Sequence, residues 1–280
     1  MTLLLGAVAY DAKVVTIWTG FREWFLRQDF PFDYVLYSHY ERQVDDLLAG
    51  HIHVAWNSPL AWVRARRLAS AMSVEVRASA MRDSDRDLTS VVVVRTDSPI
   101  QSPSDLNGCV LGLGAVDSPQ ATLLPLAHLR QVGTTTAQVR RFDIGVGLHG
   151  DHIGGERAAA RALLAGQVDA ACMIDSNYLL FAREGTLPAG ATRVLTQTAR
   201  FDHCNMTVGP AAPPDLVRRF QELLLGMSYA DAELRPLLDL EGLKRWYDGR
   251  LEGYAPLEAA VDALGFYDAR GQVTASDYRP

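Results

Sequence analysis

Apolar strands alternate with amphipathic helices along the amino-terminal part of this chain, and that order restricts the fold more than any other feature. Residues 3–9 form a continuous apolar run, and apolar side chains at helical spacing follow over 14–28. The order then repeats, with strands predicted at 33–37 and 53–56 and helices at 41–49 and 60–67. Strand–helix–strand order is typical of βαβ units, so the sequence predicts an α/β fold with parallel strands.

A second α/β unit follows a strongly charged segment. Five of the six residues at 82–87 are charged, which we interpret as a solvated turn between elements. Beyond it the pattern predicts strands at 89–95, 109–114, 138–142 and 169–174 and helices at 119–132 and 155–165. After about Thr192 it predicts one strand, at 205–208, and then mostly helices. We therefore expect two lobes with crossovers near Leu88 and Thr192.

The charge balance limits the classes of partner. The 280 residues carry 27 Lys and Arg against 33 Asp and Glu, which gives a formal net charge of −6. Nucleic-acid binding needs a basic surface that displaces counterions from phosphates, so this composition argues against it. A local basic pocket for a small anion is still compatible with the composition, because net charge says nothing about one cleft.

The cysteines and the amino terminus both point to a reducing compartment. Cys109, Cys172 and Cys204 are odd in number, widely spaced and without a CxxC motif, so we predict three free thiols. Residues 1–6 lack the basic start and the cleavage site of a signal peptide, and no apolar run is long enough to span a bilayer. The sequence as written therefore predicts a cytoplasmic protein without membrane insertion; a trimmed sequence would leave a periplasmic or cell-surface location open.

Polar residues follow several of the predicted strands. Tyr10, Tyr40 and the pair Asn57-Ser58 come after the first three, and Ser118 follows the strand at 109–114. Ligands of parallel α/β sheets bind beyond the carboxyl ends of strands, at helix amino termini with free N–H groups. Ser118 precedes a proline at a predicted helix start, which suits both an anion site and a simple helix cap. Both interpretations stay open.

A glycine-rich segment at 148–156 carries two histidines and two acids. His149, His152 and Glu156 offer zinc ligands, but an HxxH pair in a flexible loop is a weak metal signal. We interpret the segment as a polar ligand loop and predict neither a metal nor a cofactor.

Two further groups of polar residues follow later strands. Asp175 comes directly after the apolar strand at 169–174, where a carboxylate either fixes a neighbouring backbone or binds a ligand amine. His203 stands beside Cys204, but adjacent residues seldom point together, so a catalytic thiol is weighed against a buried, inert one.

Short stretches in a fixed order link the chain to a known family. They lie at 5–10, 40–47, 54–62, 91–100, 105–108, 117–119, 165–171 and 238–243. With these stretches the chain resembles the phosphonate- and phosphite-type solute-binding proteins of ABC transporters. The resemblance implies a two-lobed periplasmic-binding-protein-like fold, each lobe a mostly parallel sheet flanked by helices. Lobe one would comprise 1–88 plus 192–280 and lobe two 89–191, with the ligand in the cleft between them.

The same resemblance implies roles for the strand-end residues. Ser118 and Thr122 with nearby amides would hold an oxyanion, while Tyr10, Tyr40, Asn57 and Ser58 would face it from the other lobe. His149 or His152, with Glu156, would occupy the family's ligand loop, and Asp175 would match a carboxylate that meets a ligand amine. One departure is the turn Ser118-Pro119-Gln120-Ala121-Thr122, which has fewer hydroxyls than the family's phosphate turn.

Two function classes follow. The first is a receptor that binds a small anionic solute, phosphonate-like or carboxylate, and works with an ABC permease if the protein is exported. The alternative is a cytoplasmic lyase, decarboxylase or dehydratase, because some menaquinone-pathway enzymes and a dihydroxyphthalate decarboxylase resemble such binding proteins. In that case His149, His152 and His203, with Glu156, are the proton-transfer residues that the sequence offers, since a neutral imidazole suits acid–base work.

Overall fold

A computed structural model describes residues 1–144 and 152–279 of the chain, so His149 lies outside the described residues. The strands are β1 Leu3–Val8, β2 Phe32–Tyr37, β3 Val54–Asn57, β4 Arg77–Arg82, β5 Ser90–Arg95, β6 Val110–Leu113, β7 Gln138–Arg141, β8 Ala170–Ile174, β9 Thr192–Gln197, β10 Asn205–Val208 and β11 Trp246–Asp248. The helices are α1 Lys13–Arg27, α2 Tyr40–Leu48, α3 Pro59–Ala71, α4 Leu124–Gln131, α5 His152–Leu164, α6 Asp175–Arg183, α7 Pro214–Gly226, α8 Arg235–Glu241 and α9 Ala255–Leu264.

The strands form two separate sheets. One has the order β11-β4-β10-β3-β1-β2, and the other has the order β7-β6-β8-β5-β9. In the first sheet, β1 is parallel to β2 and β3, whereas β10 is antiparallel to both of its neighbours. In the second, β6 is parallel to β7 and β8, whereas β5 is antiparallel to β8 and β9. The prediction of mostly parallel sheets was wrong: both are mixed, because each strand that enters after a crossover runs against its neighbours.

Two chain crossings connect the sheets, and they pair with each other. The Leu88 amide donates to the Phe201 carbonyl at 2.9 Å, and the Phe201 amide donates to the Leu88 carbonyl at 2.8 Å. The crossover predicted near Leu88 falls at this pair. The one predicted near Thr192 comes later in the chain, because β9 still pairs with β5 in the second sheet. Whether the two sheets move as separate domains stays a proposal.

An aromatic cluster anchors α1 and α7 to the first sheet. The ring of Phe25 lies 4.6 Å from that of Phe32 and 5.3 Å from that of Phe220. All three side chains are buried, and burial of one such side chain contributes about 1.5–3 kcal/mol. The cluster holds α1 and α7 against β2.

No helix among the described residues is long and apolar enough to cross a lipid bilayer.

Candidate ligand-binding cleft

Tyr10 and Tyr40, two of the predicted site residues, lie close to each other. Tyr10 follows β1 and Tyr40 begins α2. Burial raises the pKa of Tyr40 well above its usual range, and the nearby Cys204, Tyr10 and Asp117 add to the rise. Asp117 comes from the second sheet, so Tyr40 faces it across the junction of the sheets. Burial, and then Glu241, likewise raise the pKa of Tyr10, so both phenols are protonated donors.

Ser118 begins the helical segment that follows β6. Its Oγ accepts a hydrogen bond from the Ala121 amide at 3.2 Å, as an N-cap does. The predicted helix start is therefore confirmed, although its first turn is a π-helical turn, Pro119–Leu123, that continues into α4. Because Oγ accepts in this contact, its proton is available for donation to a ligand. The side chain is fully buried in this structure.

Thr122 is buried in the same turn, but its hydroxyl is committed to the backbone. Its Oγ1 donates to the Ala115 carbonyl at 2.7 Å. This bond holds the turn that carries Ser118 against the end of β6. The structure thus gives Thr122 a supporting contact.

Glu156 lies behind this turn. Its carboxylate accepts hydrogen bonds from Gln120 Nε2 at 3.1 Å, the Ile174 amide at 3.1 Å and Asn177 Nδ2 at 2.8 Å. Burial raises its pKa to about 7, and the three donors oppose that rise. The sequence did not predict that Gln120 and Asn177 would bind Glu156, because no regular spacing links either residue to it.

His152, at the start of α5, pairs with Asp117. Its Nε2 lies 3.3 Å from Asp117 Oδ1. Burial lowers the pKa of His152, but the charge and hydrogen bond of Asp117, together with the charges of Glu156 and Asp143, raise it by more, so the net direction is up. A raised pKa favours the imidazolium, which offsets the charge of Asp117 beside the Ser118 turn.

Asn57 and Ser58 have protein partners of their own. Asn57 Nδ2 donates to Thr207 Oγ1 at 2.8 Å, and its Oδ1 accepts from Gln43 Nε2 at 2.8 Å. Ser58 Oγ accepts from the Ala61 amide at 3.2 Å and caps α3. Both residues lie at the end of β3, as the strand pattern predicted, and their described contacts are structural.

Asp175 joins the second sheet to the crossing at Thr89. One carboxylate oxygen accepts from the Thr89 amide at 3.1 Å and from the Thr89 hydroxyl at 2.8 Å. The other oxygen accepts from the Ser176 amide at 2.7 Å. Of the two alternatives for Asp175, these contacts are those of a carboxylate that fixes neighbouring backbone.

The charged segment 82–87 is not solvated throughout, contrary to the prediction. Asp85 is buried, and Arg82 donates to its carboxylate through Nε at 2.6 Å and a terminal nitrogen at 2.9 Å. Arg82 also donates to Glu241 Oε1 at 3.2 Å. Burial opposes ionisation of Asp85, but the Arg82 guanidinium prevails and holds the pKa of Asp85 at about 2. Arg82 and Asp85 face inward because they neutralise each other, whereas Ser84 and Asp87 are exposed.

Asp85, His203 and Cys204 are a group whose metal-ligand atoms all lie within 4.8 Å of one another. His203 Nδ1 lies 3.1 Å from the Cys204 sulfur and 3.5 Å from Asp85 Oδ1. One ring nitrogen therefore faces both partners, so the imidazole cannot relay a proton between them. Burial keeps the pKa of Cys204 well above its usual range, which argues against a reactive thiolate. The Arg82 guanidinium already binds both oxygens of Asp85 and repels a cation, so the group does not fit a metal.

Comparison with known proteins identifies the family. The family model described as the phosphonate periplasmic substrate-binding protein of ABC transporters matches residues 8–254. The chain belongs to this family. The resemblance inferred from the short stretches is thereby confirmed. A comparison with curated protein sequences gives no match.

Solved structures of substrate-binding proteins share the fold. PhnD1 from Prochlorococcus marinus, in complex with methylphosphonate, is 16% identical, with a TM-score of 0.68 over 94% of this chain and 98% of its own. XAC2383 from Xanthomonas citri, bound to chloride, is 17% identical, with a TM-score of 0.70 over 94% and 98%. The aliphatic sulphonate binding protein SsuA from Escherichia coli is 17% identical, with a TM-score of 0.59 over 94% and 91%. These similarities confirm the two-lobed periplasmic-binding fold.

The Ser118 turn is buried. Ser118 is 0% exposed and Thr122 is 1% exposed, so neither side chain is open to solvent in this structure. Two surface cavities of about 370 and 400 Å³ lie beside Arg77 and beside Lys244.

We expect the stability of the protein to fall as the pH rises from about 5 to about 8. Burial raises the pKa of both Glu156 and Glu241 to about 7, from an unfolded value of 4.5. A raised carboxyl pKa gives stability that is complete below the unfolded pKa and lost as pH rises through the folded pKa. Each carboxyl contributes on the order of 2–3 kcal/mol, since one unit is about 1.4 kcal/mol.

Glu241→Gln tests this expectation by urea unfolding at pH 5 and pH 8. The amide oxygen of Gln still accepts from Arg82 but does not titrate, so the loss of stability between the two pH values should shrink by about half. Glu258→Gln is a control, since Glu258 forms a surface ion pair with Arg66. An unchanged pH dependence in Glu241→Gln would mean that Glu241 titrates normally.

Proposed function

We propose that this protein binds a small phosphonate- or sulfonate-type oxyanion between its two sheets and releases it unchanged, as a substrate-binding component of an ABC transporter. The observation that carries the proposal is the position of Ser118. It caps the first helical turn after β6, at the junction of the sheets, and its hydroxyl has a proton to donate. The preceding residue, Asp117, pairs with His152. Oxyanions bind where helix amino termini, hydroxyls and a positive charge converge.

The charges around the junction support the same proposal. Glu241, which lies near Tyr10, is bound by Arg82, and Asp117, which lies near Tyr40, is paired with His152, so both acids have cationic partners. Tyr10 and Tyr40 are protonated, because their pKa values are raised. Neutral phenols donate hydrogen bonds to an oxyanion, whereas phenolates would repel it. We propose that both phenols contact the ligand from the first sheet.

We propose a supporting role for the other predicted site residues. Thr122 holds the Ser118 turn, Asn57 and Ser58 shape the end of β3, and Asp175 fixes the crossing at Thr89. These side chains would influence ligand binding indirectly, because they hold the neighbouring residues in place.

We propose binding rather than the lyase alternative, because the candidate proton-transfer residues Glu156 and His203 make structural contacts. Glu156 accepts three hydrogen bonds, and His203 presents one nitrogen to both Cys204 and Asp85. The family is one of periplasmic binding proteins, and we propose the periplasm as the location and an ABC permease as the partner.

Ser118→Ala should weaken the binding of methylphosphonate by about 1–2 kcal/mol, the contribution of one hydrogen bond to a charged group. Isothermal titration calorimetry measures the change. Ser102→Ala is the control, because Ser102 begins an exposed turn away from the junction. Equal affinity in Ser118→Ala and the wild type would make Ser118 a helix cap only.

A further inference from the structure

The carboxyl-terminal segment of the chain follows the end of the family match at residue 254. It comprises α9 and residues 265–279, and α9 contacts the helices α3 and α4. Its apolar side chains Leu257 and Val261 are fully buried in a cluster with Val63 of α3 and Leu124 of α4. The helix α3 follows β3 of the first sheet, and α4 follows β6 of the second sheet. We call each sheet with its flanking helices one half of the molecule, so α9 packs between the two halves.

The end of the segment binds one residue on each side of the junction. The Tyr278 hydroxyl donates to the Glu41 carboxylate at 3.2 Å, and Glu41 lies in the first turn of α2. Its neighbour Asp277 accepts from Arg141 at 3.0 Å, and Arg141 is the last residue of β7. Tyr267 also donates to Glu41, at 3.0 Å, which anchors the start of the tail to the first half.

The contact with Arg141 lies away from the chain crossings. The crossings leave β4 and enter β5, and they return from β9 to β10. In the second sheet β7 is the edge strand on the far side from β5 and β9. In the first sheet the far edge strand is β2, whereas α2, whose first turn contains Glu41, packs against α3, β1 and β3. The tail therefore joins the body of the first half to the edge of the second sheet that lies farthest from the crossings.

We propose that residues 265–279 form a latch that holds the two halves closed, with Asp277 and Tyr278 as its fastening residues. An exposed ion pair alone is weak, but here it acts together with the Glu41 contact and with α9 packed between the halves. The latch favours the closed form even without a ligand. It would adjust the affinity for any solute, because the population of the binding-competent form scales the apparent dissociation constant.

The test measures the distance between the two far edges without any ligand, so it is independent of the proposed anion binding. Spin labels at Val35→Cys on β2 and Gln138→Cys on β7, both exposed positions, report that distance by pulsed electron paramagnetic resonance. Cys109→Ser removes the partly exposed native thiol, and Cys172 and Cys204 are buried. We expect one short distance in the parent protein. Adding Asp277→Asn and Tyr278→Phe should lengthen and broaden the distribution by several ångströms.

Glu258→Gln is the matched control. It removes an ion pair of 2.6 Å that ties α9 to Arg66 of α3, within one half of the molecule, and should leave the distance unchanged. A chain that ends at Ser276 provides a second variant, which keeps the buried Phe266 and Tyr267 and should open like the double variant. A distribution in both latch variants identical to that of the parent protein would overturn the proposal, whether or not methylphosphonate binds.

Discussion

Asp85→Ala is expected to destabilise the protein by about 3–5 kcal/mol, because it leaves the Arg82 guanidinium buried without its main counter-charge. Arg82 has a side-chain exposure of only 18%, and two of its nitrogens donate to Asp85. The Asp85 carboxylate also accepts from the Cys204 amide at 3.2 Å, so its loss disturbs the return crossing as well. Urea unfolding at pH 7 measures the effect.

Asp87→Asn is the control for this prediction, because Asn tolerates the left-handed backbone of Asp87 as Asp does. Asp87 pairs with Arg250 at 2.9 Å, but its side chain is 54% exposed and Arg250 also binds Asp202. We expect a change within about 0.5 kcal/mol, as for other surface positions. Arg82→Met combined with Asp85→Ala should be less destabilising than Asp85→Ala alone, since no unpaired cation remains. Equal losses in the two Asp variants would show that the cluster around Asp85 is solvated.

Ser118→Asp is expected to abolish anion binding while keeping the fold. Asp caps helices as well as Ser does, so the Ala121 amide keeps an acceptor. The added carboxylate would repel an anion bound at this turn, and two like charges at about 4 Å repel by about 4 kcal/mol at an effective dielectric constant of 20. The affinity for methylphosphonate should fall at least about 100-fold, given that 1.4 kcal/mol is tenfold.

Ser102→Asp adds the same charge at the start of another turn, which lies between β5 and β6 and away from the junction. It should leave the affinity near that of the wild type, and circular dichroism should show both variants folded. Methylphosphonate binding that survives in Ser118→Asp would place the anion site elsewhere in the molecule.

The sequence predicted the buried elements well because apolar periodicity marks them. The strands at the centre of the sheets and the helix starts at Ser58 and Ser118 are of this kind. It missed β9, an edge strand that reads Thr-Arg-Val-Leu-Thr-Gln, and β11, which has only three residues. It also missed β4, whose Arg-Ala-Ser-Ala-Met-Arg sequence has no β-branched or aromatic residue. Short, polar or alanine-rich strands depend on their neighbours for their structure, and a local pattern does not reveal those neighbours.

The site was predictable only where it is local. Ser118 was found because a cap and a following proline are adjacent in the chain. The buried pair Arg82 and Asp85 was misread as solvated, because the partner Glu241 lies 159 residues from Arg82 and no local pattern links them. Burial of charge is decided by partners that the fold brings together, so charged segments mislead when they are interpreted alone.

A phosphorus NMR titration of the wild-type protein with methylphosphonate tests the central proposal most directly, because one spectrum reports both binding and chemical fate. We expect a bound signal that saturates at one methylphosphonate per chain, that is lost in Ser118→Asp, and that returns as unchanged methylphosphonate when the protein is denatured. A spectrum without a bound signal at any ratio, or one in which a new phosphorus species accumulates, would contradict the proposal that the junction at Ser118 binds and releases an unchanged oxyanion.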